Sequence, residues 1–329
     1  MKFSIITATK NNKAGLLRAI ESVRSQTYQN IEHIIVDGGS TDGSIEAIKN
    51  EQLKIKNYIT DESSRTDERE LKDFSGASLL RNDKPFDPPQ RAGTTQFNKK
   101  PFTNHYSLIT ISEADSGIYD AINKGIKLAT GDVIGLLHSD DFYADKEVLT
   151  KYADAFIKNN ADAVYTDLIY VKGLPENYSI FRYWKTHKTV HSEQLSVNRE
   201  QSKVNIKTAD YRSPFAERLL LNGWMPPHPT LFVKKEIFGK YGLYRTDMKI
   251  AADYDMILRL FFKHKITSFY LPEVTYCMTV GGESNKSIKN IIKKSREDLK
   301  ALRLNNIKFP AYTLVLKNLR KIPQFFNIL

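Results

Sequence analysis

Two adjacent carboxylates, Asp140 and Asp141, stand in the stretch TGDVIGLLHSDDFYAD (Thr130 to Asp145) shortly after the apolar run Val133 to Leu137. Carboxylates in such a place can hold a hard divalent cation, which takes oxygen ligands and is commonly shared between one or two protein carboxylates and substrate phosphates. The same SDD also reads as a solvated turn in which Asp140 caps the next helix. DGGSTDGS (Asp37 to Ser44) is equally two-sided. Its glycines permit tight backbone turning beside acidic and hydroxyl groups, and Gly, Ser and Asp dominate ordinary turns as well. Asp253 and Asp255, in AADYDMILRLFF, stand at the start of a helix, where the dipole favours acids whether or not they do chemistry.

These residues need a frame that gathers them. Phe3 to Ala8 reads as a short buried strand. A polar turn follows, and then a helix with Leu16, Ile20 and Val23 at helical spacing. Ile31 to Val36 is a second strand, and Thr41 or Asp42 can cap the helix that carries Ile45 and Ile48. Strand, helix, strand, turn, helix is a βαβ unit, whose ligand crevice lies outside the carboxyl ends of its strands. The spacing continues with a helix striped by Ile118, Ile122 and Ile126 and with the strand that ends at Asp140. A helix through Val148 and Phe156 follows, then strands at Ala163 to Tyr165, Leu168 to Val171 and Thr230 to Val233. Neither G-x-G-x-x-G nor G-x-x-x-x-G-K-[ST] occurs, so a Rossmann dinucleotide site and a P-loop are both unsupported. Two stretches, about 60–106 and 178–211, lose all periodicity and read as irregular insertions.

Composition sets the outer bounds. With 329 residues, 41% of them hydrophobic, the chain can bury a substantial core. A single cysteine, Cys277, excludes an internal disulfide and a thiolate cluster and fits a reducing cytoplasm. The N-terminal apolar run is too short for a signal peptide, and no stretch approaches the length of a membrane span. A net charge of +11 points to an acidic partner. Phe181, Tyr183 and Trp184 among clustered basic residues suggest nucleic acid, but no repeat or known motif supports it, and no nucleic-acid partner is expected.

Six segments in order, TATKNN, SQTYQNIEHIIVDGGSTDGS, SGIYDAINKGI, ATGDVIGLLHSDD, MPPHPTLFVKK and AADYDMILRL, resemble the successive motifs of family 2 glycosyltransferases of GT-A fold. The resemblance runs from about Met1 to Pro272 outside the two insertions and is strongest to the bacterial group that builds O-antigen, capsule or exopolysaccharide. It implies an α/β fold of the nucleotide-diphospho-sugar transferase type, a Rossmann-like open mixed sheet flanked by helices, with a C-terminal helical extension. It implies transfer of a sugar, with inversion, from a nucleoside diphosphate donor such as a UDP-sugar to a lipid-linked or oligosaccharide acceptor. Carried over position by position, Thr7, Thr9 and Asn11 would line the nucleotide pocket, Asp37 would accept from the uracil imide, and Asp115 would stand beside the nucleotide. Asp140 would face the ribose and Asp141 would bind Mn2+ or Mg2+. Asp253 would be the general base, with Asp255 two residues on as the alternative. His228 is a further candidate for the metal or the phosphate, and a histidine beside prolines is also often structural. A noncatalytic sugar-nucleotide or polyanion binder of the same fold is the alternative function.

The chain departs from the resemblance at two positions, His138 and Ile122, where many relatives carry an acid and an arginine. Its division is expected at residue 282, with a catalytic domain before it and a basic amphipathic tail at 283–329. There Ile288, Ile291, Ile292, Leu299 and Leu302 oppose Lys289, Lys293, Lys294, Arg296 and Lys300, and a second stripe of Tyr312, Val315, Leu316 and Leu319 is flanked by Lys317, Arg320 and Lys321. Such helices can lie on an anionic membrane, which would place the protein at the inner face of the cytoplasmic membrane. They can equally pack on the domain or on a second copy in a homo-oligomer.

Overall fold

The computed structural model describes residues 1–69, 106–186, 214–280 and 288–320. Phe3–Thr9 (β1) and Ile31–Asp37 (β2) pair in parallel, with Thr9 in register with Asp37. Lys13–Arg24 (α1) crosses between them and buries Leu16, Ala19, Ile20 and Val23. Ser44–Arg69 (α2) leads on to Tyr106–Ser112 (β3), parallel to β2. Ile118–Leu128 (α3) then delivers Val133–Leu136 (β4) to the other side of β1. β1, β2 and β4 are buried almost throughout, as suits a parallel sheet covered by helices on both faces. Four strands in the order β3-β2-β1-β4 therefore present their carboxyl ends along one edge.

The second half is mixed. Phe142–Tyr143 (β5), Val148–Asn159 (α4), Ala163–Leu174 (β6) and Asn177–Trp184 (β7) precede Pro214–Leu221 (α5), Phe232–Lys234 (β8) and Lys235–Tyr241 (α6). Ala252–Ile257 (α7) runs into a wider π-type turn at Leu258–Lys263, and Ser268–Thr279 (β9), Ile288–Leu304 (α8) and Pro310–Leu319 (α9) complete the described chain. The sheet order continues β4-β8-β6-β9-β5, with β7 paired to β6. β8 lies antiparallel to both of its neighbours, while β6 and β9 are parallel. Side-chain alternation along β1 feeds two cores. Ile6 joins Ile34, Ile122 and Tyr254 on one face, and Phe3 and Ile5 join Val23, Tyr152 and Phe232 on the other.

The expected open mixed sheet is present, and three local readings change. Helix α2 continues to Arg69 and β3 starts at Tyr106, so what was read as irregular over 60–106 falls outside the described residues only at 70–105. Asn177–Trp184 is strand, hairpinned onto β6, and residues 187–213 of the second insertion lie outside the described residues. One unbroken strand, β6, replaces the two short ones read at 163–171. Residue 282, the expected division, lies outside the described residues, and beyond it Ala301, Leu302 and Ile307 belong to the same cluster as Tyr254 and Met256 of α7.

Candidate active site

The carboxyl ends of β1 and β2 form the first wall. Asp37 is 0% exposed, and its Oδ2 accepts from the backbone N–H of Gly39 (3.1 Å) and Ser40 (3.0 Å) and from Ser112 Oγ (2.7 Å). Burial raises the pKa of this carboxyl, but those donors outweigh it and hold it below the ordinary range, so Asp37 is charged at neutral pH. Its Oδ1 and the neighbouring Thr9 Oγ1 are buried without a hydrogen-bond partner among the described residues. Two orphaned polar atoms side by side at a strand end are costly to leave unmet, and a polar ligand edge would meet them. Asn11 holds the left-handed region (φ 50°), donates its backbone N–H to Ser40 Oγ (2.7 Å) and accepts from Thr41 N–H (2.8 Å), which ties the two loops together. Asp115 accepts from Gly117 N–H (2.9 Å) and lies so close to Gly38 that any side chain there would collide with it. Thr7 does not reach this wall. It is fully buried, donates to the Leu137 carbonyl (2.7 Å) and lies 2.9 Å from His33 Nε2, so it supports the pocket from inside the sheet.

The loop after β4 forms the floor. Asp140 is exposed and accepts from Asn12 Nδ2, and Asn12 also caps α1 through Gly15 N–H (3.2 Å). A side chain at Gly15 would strike the Ser139 carbonyl, so the N-terminus of α1 abuts this loop, a favourable place for an anion. Asp141 points the other way. It is 2% exposed, its Oδ1 accepts from Thr279 N–H (2.9 Å) and its Oδ2 from Tyr276 Oη (3.0 Å), and burial pushes its carboxyl up to about 7. Pairing of β5 with β9 draws Asp141, expected to hold the cation, inside, while Asp140 is the exposed carboxylate of the loop. Ile122, also buried, packs in the core.

The third wall comes from α7 and the turn before β8. Asp253 Oδ2 lies 3.1 Å from His228 Nδ1, and its Oδ1 accepts from Tyr119 Oη (3.2 Å). Burial opposes the charge on Asp253, but His228, Lys317 and Lys294 more than offset it, so the pKa lies below the ordinary carboxylate value. Burial lowers His228, and with His228 beside it lowers His138 to about 4, so both rings are neutral at pH 7; their centroids are 5.9 Å apart. Asp255 is turned from the crevice. It is buried, accepts from Asn305 Nδ2 (2.9 Å) and lies 3.7 Å from Arg259. Tyr119 and Asn12 join the site without having been singled out in the sequence. Neither stands in a spacing that announces it.

A family model described as "Glycosyl transferase family 2" matches residues 4–65 and 93–213, more than half of the chain. The chain belongs to glycosyl transferase family 2. This glycosyltransferase is 26% identical over 296 residues to "PGL/p-HBAD biosynthesis glycosyltransferase" of Mycobacterium bovis, covering 89% of this chain and 83% of that protein. It is also 26% identical over 258 residues to an uncharacterised glycosyltransferase of Mycobacterium tuberculosis, covering 78% and 67%. Among solved structures, residues 1–349 of S. aureus TarS in complex with UDP-GlcNAc superpose with TM-score 0.53 at 15% identity, over 99% of this chain and 79% of that one. The chain spans 44% of a longer S. aureus TarS chain, which it matches with TM-score 0.56 at 14% identity. The mannosyltransferase PcManGT from Pyrobaculum calidifontis, in complex with GDP-Man and Mn2+, superposes with TM-score 0.52 at 14% identity, over 99% and 73%. These structures share the GT-A fold.

Proposed function

We propose that this glycosyltransferase moves a sugar from a UDP-sugar to a hydroxyl of a lipid-linked saccharide, with inversion, in the building of cell-envelope glycans. The observation that carries the reading is the convergence of three walls on one crevice. Asp37 and Thr9 offer an unmet acceptor and hydroxyl for a nucleobase edge, Asp140 offers an exposed carboxylate, and Asp253 is a charged carboxylate steered by Tyr119 and His228. The UDP-GlcNAc complex of TarS and the biosynthetic name of the mycobacterial relative support the donor and the setting.

Among the described residues no three His, Cys, Asp or Glu side chains cluster into a preformed metal cage. The donor set suits a cation held by Asp140 and completed by diphosphate oxygens and water, as Mg2+ and Mn2+ commonly are. When bound, Mn2+ or Mg2+ would neutralise charge developing on the leaving diphosphate. The chain's own residues supply the rest. Asp253 accepts the proton of the acceptor hydroxyl as its oxygen bonds to the anomeric carbon and the bond from that carbon to the diphosphate breaks on the opposite face. Tyr119 and His228 hold both carboxylate oxygens, so the base is oriented before the acceptor arrives. His228 Nδ1 is committed to Asp253, and we read it as an orienting group rather than a metal ligand.

No described helix is long and apolar enough to cross a membrane. Phe309, Tyr312, Val315 and Leu319 form an exposed apolar row along α9 with Lys308 beside it, and peripheral seating of that row on an anionic bilayer completes the proposal. Lys317, expected on that basic rim, is buried and takes no part in it. The test is UDP release from a panel of sugar nucleotides with and without Mn2+ and a lipid-linked acceptor. Acceptor-dependent release with one sugar supports the reading, and sugar-nucleotide binding without turnover under any condition overturns it.

A further inference from the structure

The C-terminal helices bury an ion pair behind the crevice. Lys317 Nζ lies 2.7 Å from Asp298 Oδ1, with the two side chains 3% and 2% exposed, and it sits 3.3 Å above the Tyr254 ring. Burying an ion pair is costly, and an apolar pair of similar volume commonly serves stability as well or better. Its location offers another reason for it. Tyr254 is the residue after Asp253. On the other side of Asp253, Glu297 of α8 accepts from three successive backbone N–H groups, Lys249 (3.1 Å), Ile250 (2.7 Å) and Ala251 (3.0 Å), which lead into the first turn of α7. One turn beyond, Asn305 Nδ2 donates to Asp255 (2.9 Å). Every residue flanking Asp253 from 249 to 255, apart from Ala252, is therefore addressed by a side chain of α8, of α9 or of the turn between them.

We propose that α8 and α9 are a positioning element of the transfer reaction, in which Glu297 and the Lys317–Asp298 pair clamp α7 and fix where the Asp253 carboxylate stands. This rests on Asp253 being the base. The residues in the clamp touch neither donor nor acceptor; they act through α7. Glu297 meets the approach to the helix and the ion pair meets the ring behind the carboxylate, so both act on the first turn of α7, whose leading backbone N–H groups have no partner within the helix itself. Misplacing a reacting group by about 1 Å can cost on the order of 100-fold in rate.

The test uses full-length protein and acceptor-dependent transfer. Lys317→Met/Asp298→Leu removes both buried charges together and is expected to keep the thermal midpoint, while kcat falls about tenfold or more and donor KM stays within twofold. Glu297→Ala, at a partly exposed position, is expected to show the same split, and Glu297→Gln to recover part of the rate because its amide oxygen still accepts. Should the double variant fail to fold, Glu297→Ala decides alone. Asp253→Asn is run beside them. If Asp253→Asn transfers at the parent rate, the assignment of the base is wrong; if it is inactive while the clamp variants keep the parent kcat, the positioning role is overturned and the base stands. A rise in donor KM matched by no change in kcat would also overturn it.

Discussion

The two halves of the crevice are built in different ways. On the side proposed for the nucleotide, Asp37, Asn11, Thr9 and Asp140 sit at or just after the ends of adjacent parallel strands, among contacts within their own turns or one strand away. On the other side, Asp253 depends on Tyr119, 134 residues earlier, and on His228, and its helix is gripped by Glu297, Asn305 and Lys317 from the chain's end. A site on strand ends inherits its geometry from the sheet ladder. A site on a short helix between remote partners must be assembled by packing. The first should therefore fail locally when mutated, by losing one contact, and the second should fail through several distant positions.

The largest expected effect tests the floor where the two halves meet. Asp140→Ala should abolish cation-dependent transfer and weaken the effect of Mn2+ on UDP affinity, since it removes the exposed carboxylate of the loop. Asp141→Asn should keep a measurable Mn2+ response, because its contacts are to Tyr276 and Thr279 rather than to the crevice. An Asp141→Asn protein that folds normally yet no longer responds to Mn2+, beside an Asp140→Ala protein that does, would reverse the assignment. Next in size, Asp253→Asn should lower kcat by about 100-fold or more with donor affinity nearly intact. Loss of donor binding in that variant would place the residue on the nucleotide side and collapse the comparison. Smaller again, Asp37→Asn should weaken UDP binding by roughly tenfold, the scale of one charge-assisted hydrogen bond, with little change in kcat at saturating donor. Titration calorimetry with UDP would read it directly.

What the sequence disclosed divides along the same line. The parallel half was legible because β1, β2 and β4 carry clustered apolar residues with polar, glycine-rich or acidic turns after them, and such runs report burial directly. β3 escaped notice. It is the edge strand, and only its first residue, Tyr106, is fully buried. β9 escaped because Pro272 interrupts SFYLPEVTYCMT, and a proline inside a run argues against a central strand. The structure accommodates it at an irregularity, where the register with β6 shifts between Tyr270 and Val274. That omission had a consequence at the site. Tyr276 and Thr279 on β9 are what hold Asp141 inside, and nothing in the local SDD encodes those contacts. The role of Lys317 was hidden for a related reason. Amphipathic spacing marks it as a solvent-side cation, and only the tertiary fold supplies the buried Asp298 that lets it enter the core.

The smallest predicted effect concerns the interior of the nucleotide half, and it asks whether that half is as firmly preassembled as its ladder suggests. His33 on β2 is 0% exposed and lies between Thr7 Oγ1 (2.9 Å) and Tyr106 Oη (3.2 Å), a polar rung joining β1, β2 and β3 beneath the Thr9–Asp37 pocket. Burial lowers its pKa to about 3 from an ordinary 6.5. The folded protein therefore keeps the ring neutral, while the unfolded chain takes up a proton below about pH 6.5. Stability from this residue is complete above that pH and is lost as pH falls toward about 3, at about 1.4 kcal/mol per pH unit from a single proton. His33→Gln can fill the rung with a non-titrating amide. It should be less stable at pH 7.5, through imperfect hydrogen bonds, yet shed less stability than the parent between pH 6.5 and 5. Urea midpoints over that range measure the difference. If both proteins lose stability with the same slope, His33 is already protonated or solvated in the fold, and the strand-end half owes its rigidity to something other than this buried rung.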